Sequence, residues 1–211
     1  GGRGGSQTAT PRHLQEERDL LFRGSPALDP GTVTRCQVTH LWYFTMRLLE
    51  NPATVLEACA GRTPPKLLHL LQWVLAEIEG VHARGVLHRD LKPENIMLVD
   101  GTAGQPEVHV LDYGLAKLMS APASERETTL VGPRAFAGTP PYAAPELLRD
   151  GRGIASARTE VLAAGVIAHE ILAGRRLFPR PEDQSAEGQL AAAAEFWNRE
   201  IHPRASALRQ A

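Results

Sequence analysis

The sequence lacks the features that would place it in several large classes of protein. No unbroken apolar run approaches the length that spans a membrane, and the N-terminal residues show no secretory signal. The chain has 23 Lys and Arg against 24 Asp and Glu, so its net charge of -1 provides no basic excess for nucleic acid or an anionic membrane. We therefore expect no nucleic-acid partner and no membrane segment in this chain.

Cysteine is also scarce. Cys36 and Cys59 show no partner pattern, which suits a reducing compartment and predicts a cytoplasmic location. The 211 residues are 43% hydrophobic and 22% charged, which is typical of one globular domain with a sizeable core. The first residue is Gly rather than Met, so we expect the chain to be part of a longer polypeptide.

A phosphate-binding glycine loop is missing from the N-terminal region. Gly1, Gly2, Gly4 and Gly5 are neither preceded nor followed by a strand pattern. Residues 1–13 are instead predicted to be a flexible tail.

The densest group of functional side chains lies in the stretch HRDLKPEN, residues 88–95. Apolar residues precede it at Val86 and Leu87 and follow it from Ile96, which predicts a loop held between two short buried strands. Asp90 and Lys92 point the same way if the segment is extended. Asn95 lies where a second acceptor could meet a cation.

Three further motifs follow in order. Asp112-Tyr113-Gly114 comes 22 residues after Asp90 and directly behind the strand predicted over 108–111. The run GTPPYAAPE occupies 138–146, and EVLAAG occupies 160–165 at the start of an apolar helix pattern.

These motifs resemble the catalytic loop, the DFG triplet, the end of the activation segment and the central helix of protein kinases. The lysine two residues after Asp90 resembles the serine/threonine branch. The resemblance implies an α+β, protein kinase-like fold. Residues 51–211 would form a mostly α-helical large lobe with a shortened C-terminal end. Residues 14–50 would be the remnant of a truncated β small lobe, made of a helix, two strands and a hinge.

The resemblance also implies transfer of a phosphate from ATP, with Mg²⁺, to Ser or Thr hydroxyls of a protein substrate. Asp90 would orient the hydroxyl, Lys92 would neutralise the moving phosphate, and Asn95 and Asp112 would ligate the metal. Met46 falls at the gatekeeper position, Leu49 in the hinge, and Met97 beneath the adenine ring. The full set implied for nucleotide binding is Met46, Leu49, Lys92, Glu94, Asn95, Met97 and Asp112.

Regulatory roles are implied for four residues. Arg89 would pair with a phosphate added to Thr128 or Thr129, because an added phosphate creates a binding partner for arginine. Thr139 would hydrogen bond to Asp90 and Lys92.

Structural roles are implied for seven residues. Glu17, with Glu16 as the alternative, matches the helix glutamate that pairs with the ATP-binding lysine. Leu21, His88 and Tyr113 would belong to an internal hydrophobic column. Glu146 would pair with Arg204 inside the large lobe, so that Glu146→Ala would cost several kcal/mol. Glu160, in place of the usual Asp, would accept N–H groups of the catalytic loop.

Local patterns predict the remaining elements. Helices are expected over 14–23, from Pro64 behind a Thr63 cap to Gly85, and over 160–172. Strands are expected over 32–39 and 41–46. On the last helix the predicted buried face consists of Val161, Ala164, Gly165, Ala168, Ile171 and Leu172.

The sequence before Leu14 contains neither the glycine-rich strand pair nor the lysine-bearing strand of a whole kinase domain. Without that lysine, Glu17 has no partner and phosphate transfer should fall by orders of magnitude. Three readings remain open: a serine/threonine kinase with an incomplete small lobe, a pseudokinase or interaction scaffold, and an unstable fragment.

Overall fold

The described residues form helices and three small antiparallel sheets. The structure is a computed structural model that describes residues 11–101, 105–113, 117–118, 138–148, 155–179, 182–183 and 185–203. The described helices are α1 (Arg12–Gly24), α2 (Val55–Cys59), α3 (Pro64–Ala83), α4 (Pro145–Leu148), α5 (Ala157–Ala173) and α6 (Ala186–Phe196), which a π-helical turn, Trp197–Ile201, extends. Single 3₁₀ turns cover Pro26–Leu28, Pro93–Asn95 and Pro140–Tyr142.

The strands are β1 (Thr34–Arg35), β2 (Trp42–Tyr43), β3 (Ala53–Thr54), β4 (Val86–Leu87), β5 (Ile96–Asp100), β6 (Pro106–Val110) and β7 (Lys117–Leu118). β1 pairs with β2, β4 pairs with β7, and β5 lies between β3 and β6. In the last sheet Met97 is opposite both Thr54 and His109. The loop 88–95 therefore connects a strand of one sheet to the central strand of another, as its apolar flanks predicted.

The core lies between α3 and α5. Leu70, Val74, Ile78 and Val81 of α3 recur every three or four residues and are buried, so one stripe of the helix faces the interior. They pack against α5, whose Ile167 and Ile171 are fully buried. At roughly 25 cal/mol per Å² of apolar surface, each such side chain contributes about 1.5–3 kcal/mol. This packing fixes the two helices that flank the catalytic loop.

The predicted long helices are confirmed, with small shifts of their ends. α1 begins at Arg12, so residues 12 and 13 belong to a helix and not to a tail, while residues 1–10 lie outside the described part. Thr63 occupies the N-cap position of α3, but its side chain makes no capping hydrogen bond, so the predicted cap is wrong in that detail. α5 ends at Ala173 and is followed by Gly174, whose φ of 63° is the left-handed conformation that glycine adopts without strain.

The predicted buried face of α5 is wrong at several positions. Val161 and Leu172 are 64% and 46% exposed, whereas the buried face carries the polar Thr159, Glu160 and Glu170. An apolar periodicity cannot find a face that buries carboxylates, because their burial depends on partners elsewhere in the fold.

The two predicted small-lobe strands are shorter than expected. They form a hairpin in which Thr34 is opposite Tyr43 and Arg35 is opposite Trp42. Two backbone hydrogen bonds, from Gly31 N–H to Thr45 O and from Arg47 N–H to Leu28 O, extend the contact between the two segments. They do not lengthen the regular pairing of the strands. Tyr43 and Met46 are 45% and 49% exposed, so much of the hairpin's apolar surface faces solvent.

In the part of the chain that the structure describes, no helix combines the length and the apolar character that crossing a bilayer requires.

Candidate active site

The backbone of the catalytic loop is held in an uncommon conformation. Arg89 has φ 69°, a left-handed value. This conformation costs a non-glycine residue of order 1–3 kcal/mol and persists only where the surrounding contacts hold it. Its N–H donates to Oε1 of Glu160 at 2.6 Å, and Oε2 of Glu160 lies 2.6 Å from Nε2 of His82. Glu160 is 4% exposed. This buried carboxylate therefore connects α5 to the loop and to α3.

Asp90, Lys92 and Thr139 form a closed triangle of hydrogen bonds. Lys92 Nζ donates to Oδ2 of Asp90 at 2.8 Å, and Thr139 Oγ1 donates to Oδ1 at 2.7 Å. Lys92 Nζ also lies 3.4 Å from Thr139 Oγ1. Both carboxylate oxygens of Asp90 are thus oriented. Thr139 lies 49 positions from Asp90 in the sequence, so their hydrogen bond connects two distant segments of the chain. The predicted proximity of Thr139 to Asp90 and Lys92 is what the structure shows.

Asn95 and Asp112 come together through the backbone. Asn95 is 6% exposed, and its Nδ2 donates to the Asp90 carbonyl at 2.9 Å, which leaves its side-chain oxygen as an acceptor. The Leu111 N–H donates to the Asn95 carbonyl at 2.8 Å. That bond puts Asp112, which has an exposed side chain and φ 64°, next to Asn95.

An amide oxygen beside a carboxylate is a donor set that fits Mg²⁺. The same hydrogen bonds hold the two residues in place before any ligand arrives. The residues at this site therefore fit the metal that the sequence motif implies.

His88 supports the loop as a neutral side chain. Its Nε2 donates to the Leu111 carbonyl at 2.7 Å, so Nδ1 is the acceptor of the Asp90 N–H at 3.3 Å. Burial lowers the pKa of His88, against smaller opposing effects of the Leu111 hydrogen bond and nearby carboxylates. Its ring meets that of Tyr113 edge-on with centroids 4.9 Å apart. Leu21, 5% exposed, belongs to the same core cluster as Tyr113.

Glu17 faces the Asp112 side of this site. Partial burial raises the pKa of Glu17, and the charge of Asp112 raises it further, while His13 opposes the shift. Among the described residues we find no cation in an ion pair with Glu17. The exposed Glu16, the alternative of the sequence prediction, pairs instead with Arg12 at 3.2 Å.

The residues expected to bind the nucleotide lie on several elements. Met97 is half-buried on β5, Leu49 packs against the core, and Met46 follows β2 with 49% of its surface exposed. Glu94 forms an exposed ion pair with Arg176 at 3.2 Å. Their role in binding adenine stays a prediction.

Two of the expected regulatory and structural pairs extend beyond the described residues. Nη1 of Arg89 is buried without a hydrogen-bond partner in the described part, and burial lowers the pKa of this guanidinium while Glu160 raises it. Thr128 and Thr129, its proposed phosphorylated partners, lie outside the described residues, as does Arg204. Glu146 is exposed, and its pairing with Arg204 stays a prediction.

Two residues of the site were missed by the sequence analysis. His82 contacts the Glu160 carboxylate, and Ser25 contacts Tyr113. Glu160 is 78 positions from His82, and Ser25 is 88 positions from Tyr113. The sequence carries no local signal for either pair.

Comparison with known proteins identifies the family. The family model described as "Protein kinase domain" matches residues 41–208. The chain belongs to the protein kinase family.

Individual relatives are named serine/threonine-protein kinases. The chain is 40% identical over 126 residues to the serine/threonine-protein kinase Pkn1 of Myxococcus xanthus, covering 60% of this chain and 17% of that protein. It is 32% identical over 150 residues to pkn2 of the same organism, covering 71% of this chain and 17% of that protein. It is also 31% identical over 169 residues to PknL of Mycobacterium tuberculosis, covering 79% of this chain and 37% of that protein. The chain thus spans only a minor part of these relatives.

Proposed function

We propose that this chain carries the catalytic loop of an ATP-dependent protein serine/threonine kinase. The reaction is attack of a Ser or Thr hydroxyl oxygen of a protein on the γ-phosphorus of ATP. The bond from that phosphorus to the β–γ bridging oxygen breaks, and ADP leaves with the electron pair. The observation that carries the proposal is the triangle of Asp90, Lys92 and Thr139.

Asp90 is suited to orient the attacking hydroxyl. Its side chain is 10% exposed, so it is mostly shielded but still reachable. Lys92 and Thr139 each use one lone pair of its carboxylate, and each oxygen retains another that can accept the hydroxyl proton of the substrate.

Lys92 and the residues near Asp112 are suited to the phosphate. The Lys92 ammonium has three donors, of which Asp90 and Thr139 occupy two, so one remains for a phosphate oxygen. Asn95 and Asp112 would hold Mg²⁺, which neutralises phosphate charge when it is bound with the nucleotide. Met46, Leu49 and Met97 would bound the adenine, and Glu94 would border the same site.

We infer the same division of the chain that the motifs indicate. Residues 14–50 would contribute the small-lobe side of the nucleotide site, and residues 51–211 the large-lobe side. Arg89 would bind a phosphate on Thr128 or Thr129, because its buried Nη1 has a free donor within the described part. A cytoplasmic location and a Ser- or Thr-containing protein substrate belong to this proposal.

A second candidate function is that of a pseudokinase or scaffold with little phosphate transfer. The observation that favours it is the partly buried Glu17, which makes no ion pair with a cation in the described residues. Phosphates bound there would lack a protein cation on the Glu17 side.

A transfer assay with labelled ATP distinguishes the two functions. We expect phosphate on Ser or Thr of an added protein, and a loss of about 100-fold or more in Asp90→Asn, which keeps the shape but not the base. A second variant, Lys92→Ala, removes the ammonium expected to contact the phosphate. Lys66→Ala is its matched control, because Lys66 is an exposed lysine on α3.

The two lysine variants should separate clearly. Lys92→Ala should lose transfer, and Lys66→Ala should keep it. Nucleotide binding by the unaltered chain without any transfer would replace the kinase proposal with the scaffold.

A further inference from the structure

The strained backbone of Asp112 is held on both of its sides. On the N-terminal side the Leu111 amide donates to Asn95 and the Leu111 carbonyl accepts from His88. On the C-terminal side Tyr113 is 1% exposed. A left-handed non-glycine residue such as Asp112 persists where its surroundings leave no alternative. The contacts of Tyr113 therefore matter for where Asp112 lies.

The hydrogen bonds that join Ser25 to Val110 and Tyr113 have only one possible direction. The Ser25 hydroxyl lies 3.0 Å from the Val110 carbonyl and 2.9 Å from the Tyr113 hydroxyl. A carbonyl can only accept, so Ser25 donates its single proton to Val110 and accepts from Tyr113. Ser25 is 2% exposed, which keeps water from replacing either bond. We call these two hydrogen bonds the Ser25 bridge.

Gly24 makes room for the same ring. A Cβ at position 24 would overlap Cε1, Cζ and the hydroxyl of Tyr113. The C-terminal end of α1 therefore lies directly on the tyrosine ring, and the carbonyl of Gly24 accepts a hydrogen bond from Arg84 next to the end of α3.

We propose that Ser25 and Gly24 are positioning residues that hold Asp112 through Tyr113. The Ser25 hydroxyl joins the end of α1, which carries Glu17, to the strand end at Val110, and it holds Tyr113 through the tyrosine hydroxyl. A phenylalanine ring could fill the space but could not donate this hydrogen bond. The inference deepens the proposed kinase function, on which its consequence for metal binding rests.

Hydrogen exchange of the Leu111 amide tests the bridge without nucleotide. Tyr113→Phe should raise its exchange rate about fivefold, the effect of one buried hydrogen bond, and Ser25→Ala, which removes both bonds of the bridge, should raise it at least as much. The double variant should exchange little faster than Ser25→Ala, because the Tyr113–Ser25 contact is already lost in that variant. Unchanged exchange in folded Ser25→Ala, or effects that simply multiply, would overturn the proposal.

Ser185→Ala is the matched control. Ser185 caps α6 by accepting from the Gly188 N–H at 3.0 Å, far along the chain from Asp112. It should destabilise α6 and leave the Leu111 amide unaffected. Faster exchange there in Ser185→Ala would show a general loosening and would also refute the bridge.

Manganese tests the consequence for Asp112. Mn²⁺ with ADP, followed by water-proton relaxation, should bind several-fold more weakly to Ser25→Ala than to Ser185→Ala. Equal affinities would reduce Ser25 to a purely structural role. If the unaltered chain bound no Mn²⁺ with ADP, the kinase proposal would fail, while the exchange result would still decide whether Ser25 holds the Asp112 backbone.

A size exchange tests Gly24 separately. Gly24→Ala should lower the melting temperature because of the overlap with Tyr113. Combining it with Tyr113→Leu, which lacks the overlapping atoms, should give a smaller loss than the sum of the two single losses. Strict additivity would rule out the contact as the reason for glycine at position 24.

Discussion

The carboxylates behind the catalytic loop and those at its nucleotide side have different surroundings. Glu160 and Glu170 are buried, and each accepts two contacts: Glu160 from Arg89 and His82, Glu170 from Tyr142 and Leu177. On the other side Glu17 is partly buried without an ion pair in the described residues, and burial and the charge of Asp112 raise its pKa.

This difference indicates which half of the site is complete in itself. A buried carboxylate is tolerated only when hydrogen bonds replace its lost water, and the loop side satisfies that condition. On the nucleotide side Glu17 makes no ion pair in the described residues, and Asp112 is the carboxylate expected to receive a metal ion with the nucleotide. The loop side thus holds its residues rigidly through hydrogen bonds, whereas the nucleotide side still lacks a positively charged partner in the described residues.

The largest effect should come from breaking the loop side at Glu160. Glu160→Ala would leave the Arg89 N–H and His82 without their acceptor, at a cost of roughly 2–4 kcal/mol in the free energy of unfolding. Glu160→Gln keeps one oxygen for Arg89 and should cost less. Urea denaturation measures both values.

Glu195→Ala is the control for this experiment, because Glu195 pairs with Arg199 on the exposed surface of α6. It should change the free energy of unfolding by less than about 1 kcal/mol. Similar losses for Glu160→Ala and Glu195→Ala would remove the contrast between the two regions.

A smaller, pH-dependent effect should come from Glu17. Its pKa is raised in the folded state, so the stability linked to its protonation is present below the ordinary value of 4.5 and is lost as the pH rises through the raised value. Glu17→Gln has no such loss. The melting temperature of Glu17→Gln relative to the unaltered chain should therefore increase from pH 4 to pH 7.

Glu16→Gln provides the comparison for Glu17, because the neighbouring Glu16 is exposed and pairs with Arg12. It should give no such gain at higher pH. A difference between Glu17→Gln and the unaltered chain that stays constant with pH would mean that the pKa of Glu17 is not raised by burial and Asp112 in the folded chain.

The smallest effect is expected at Glu146. The sequence predicted a buried pair with Arg204 and a loss of several kcal/mol, but Glu146 is exposed. We now expect Glu146→Ala to cost less than about 1 kcal/mol by urea denaturation. A loss of several kcal/mol would restore the buried pair and would show that Glu146 belongs with Glu160.

Much of the fold near the site follows from local patterns. The apolar flanks of 88–95 predicted β4 and β5, and the helix expected to start at Pro64 is observed as α3. The hairpin was overextended in the prediction, because β-branched and aromatic residues favour a strand without setting its length. The buried face of α5 was wrong because it depends on which residues can meet Glu160 and Glu170.

The sequence by itself determined the order and identity of the reactive residues from Asp90 to Asp112. Their spacing is a property of the chain, and the motifs that contain them are contiguous. Only the tertiary structure decided what holds them, because His82, Thr139 and Ser25 reach their partners across 47 to 88 positions. Hydrogen bonds over such separations depend on how α1, α3 and α5 pack, and no local pattern records that packing.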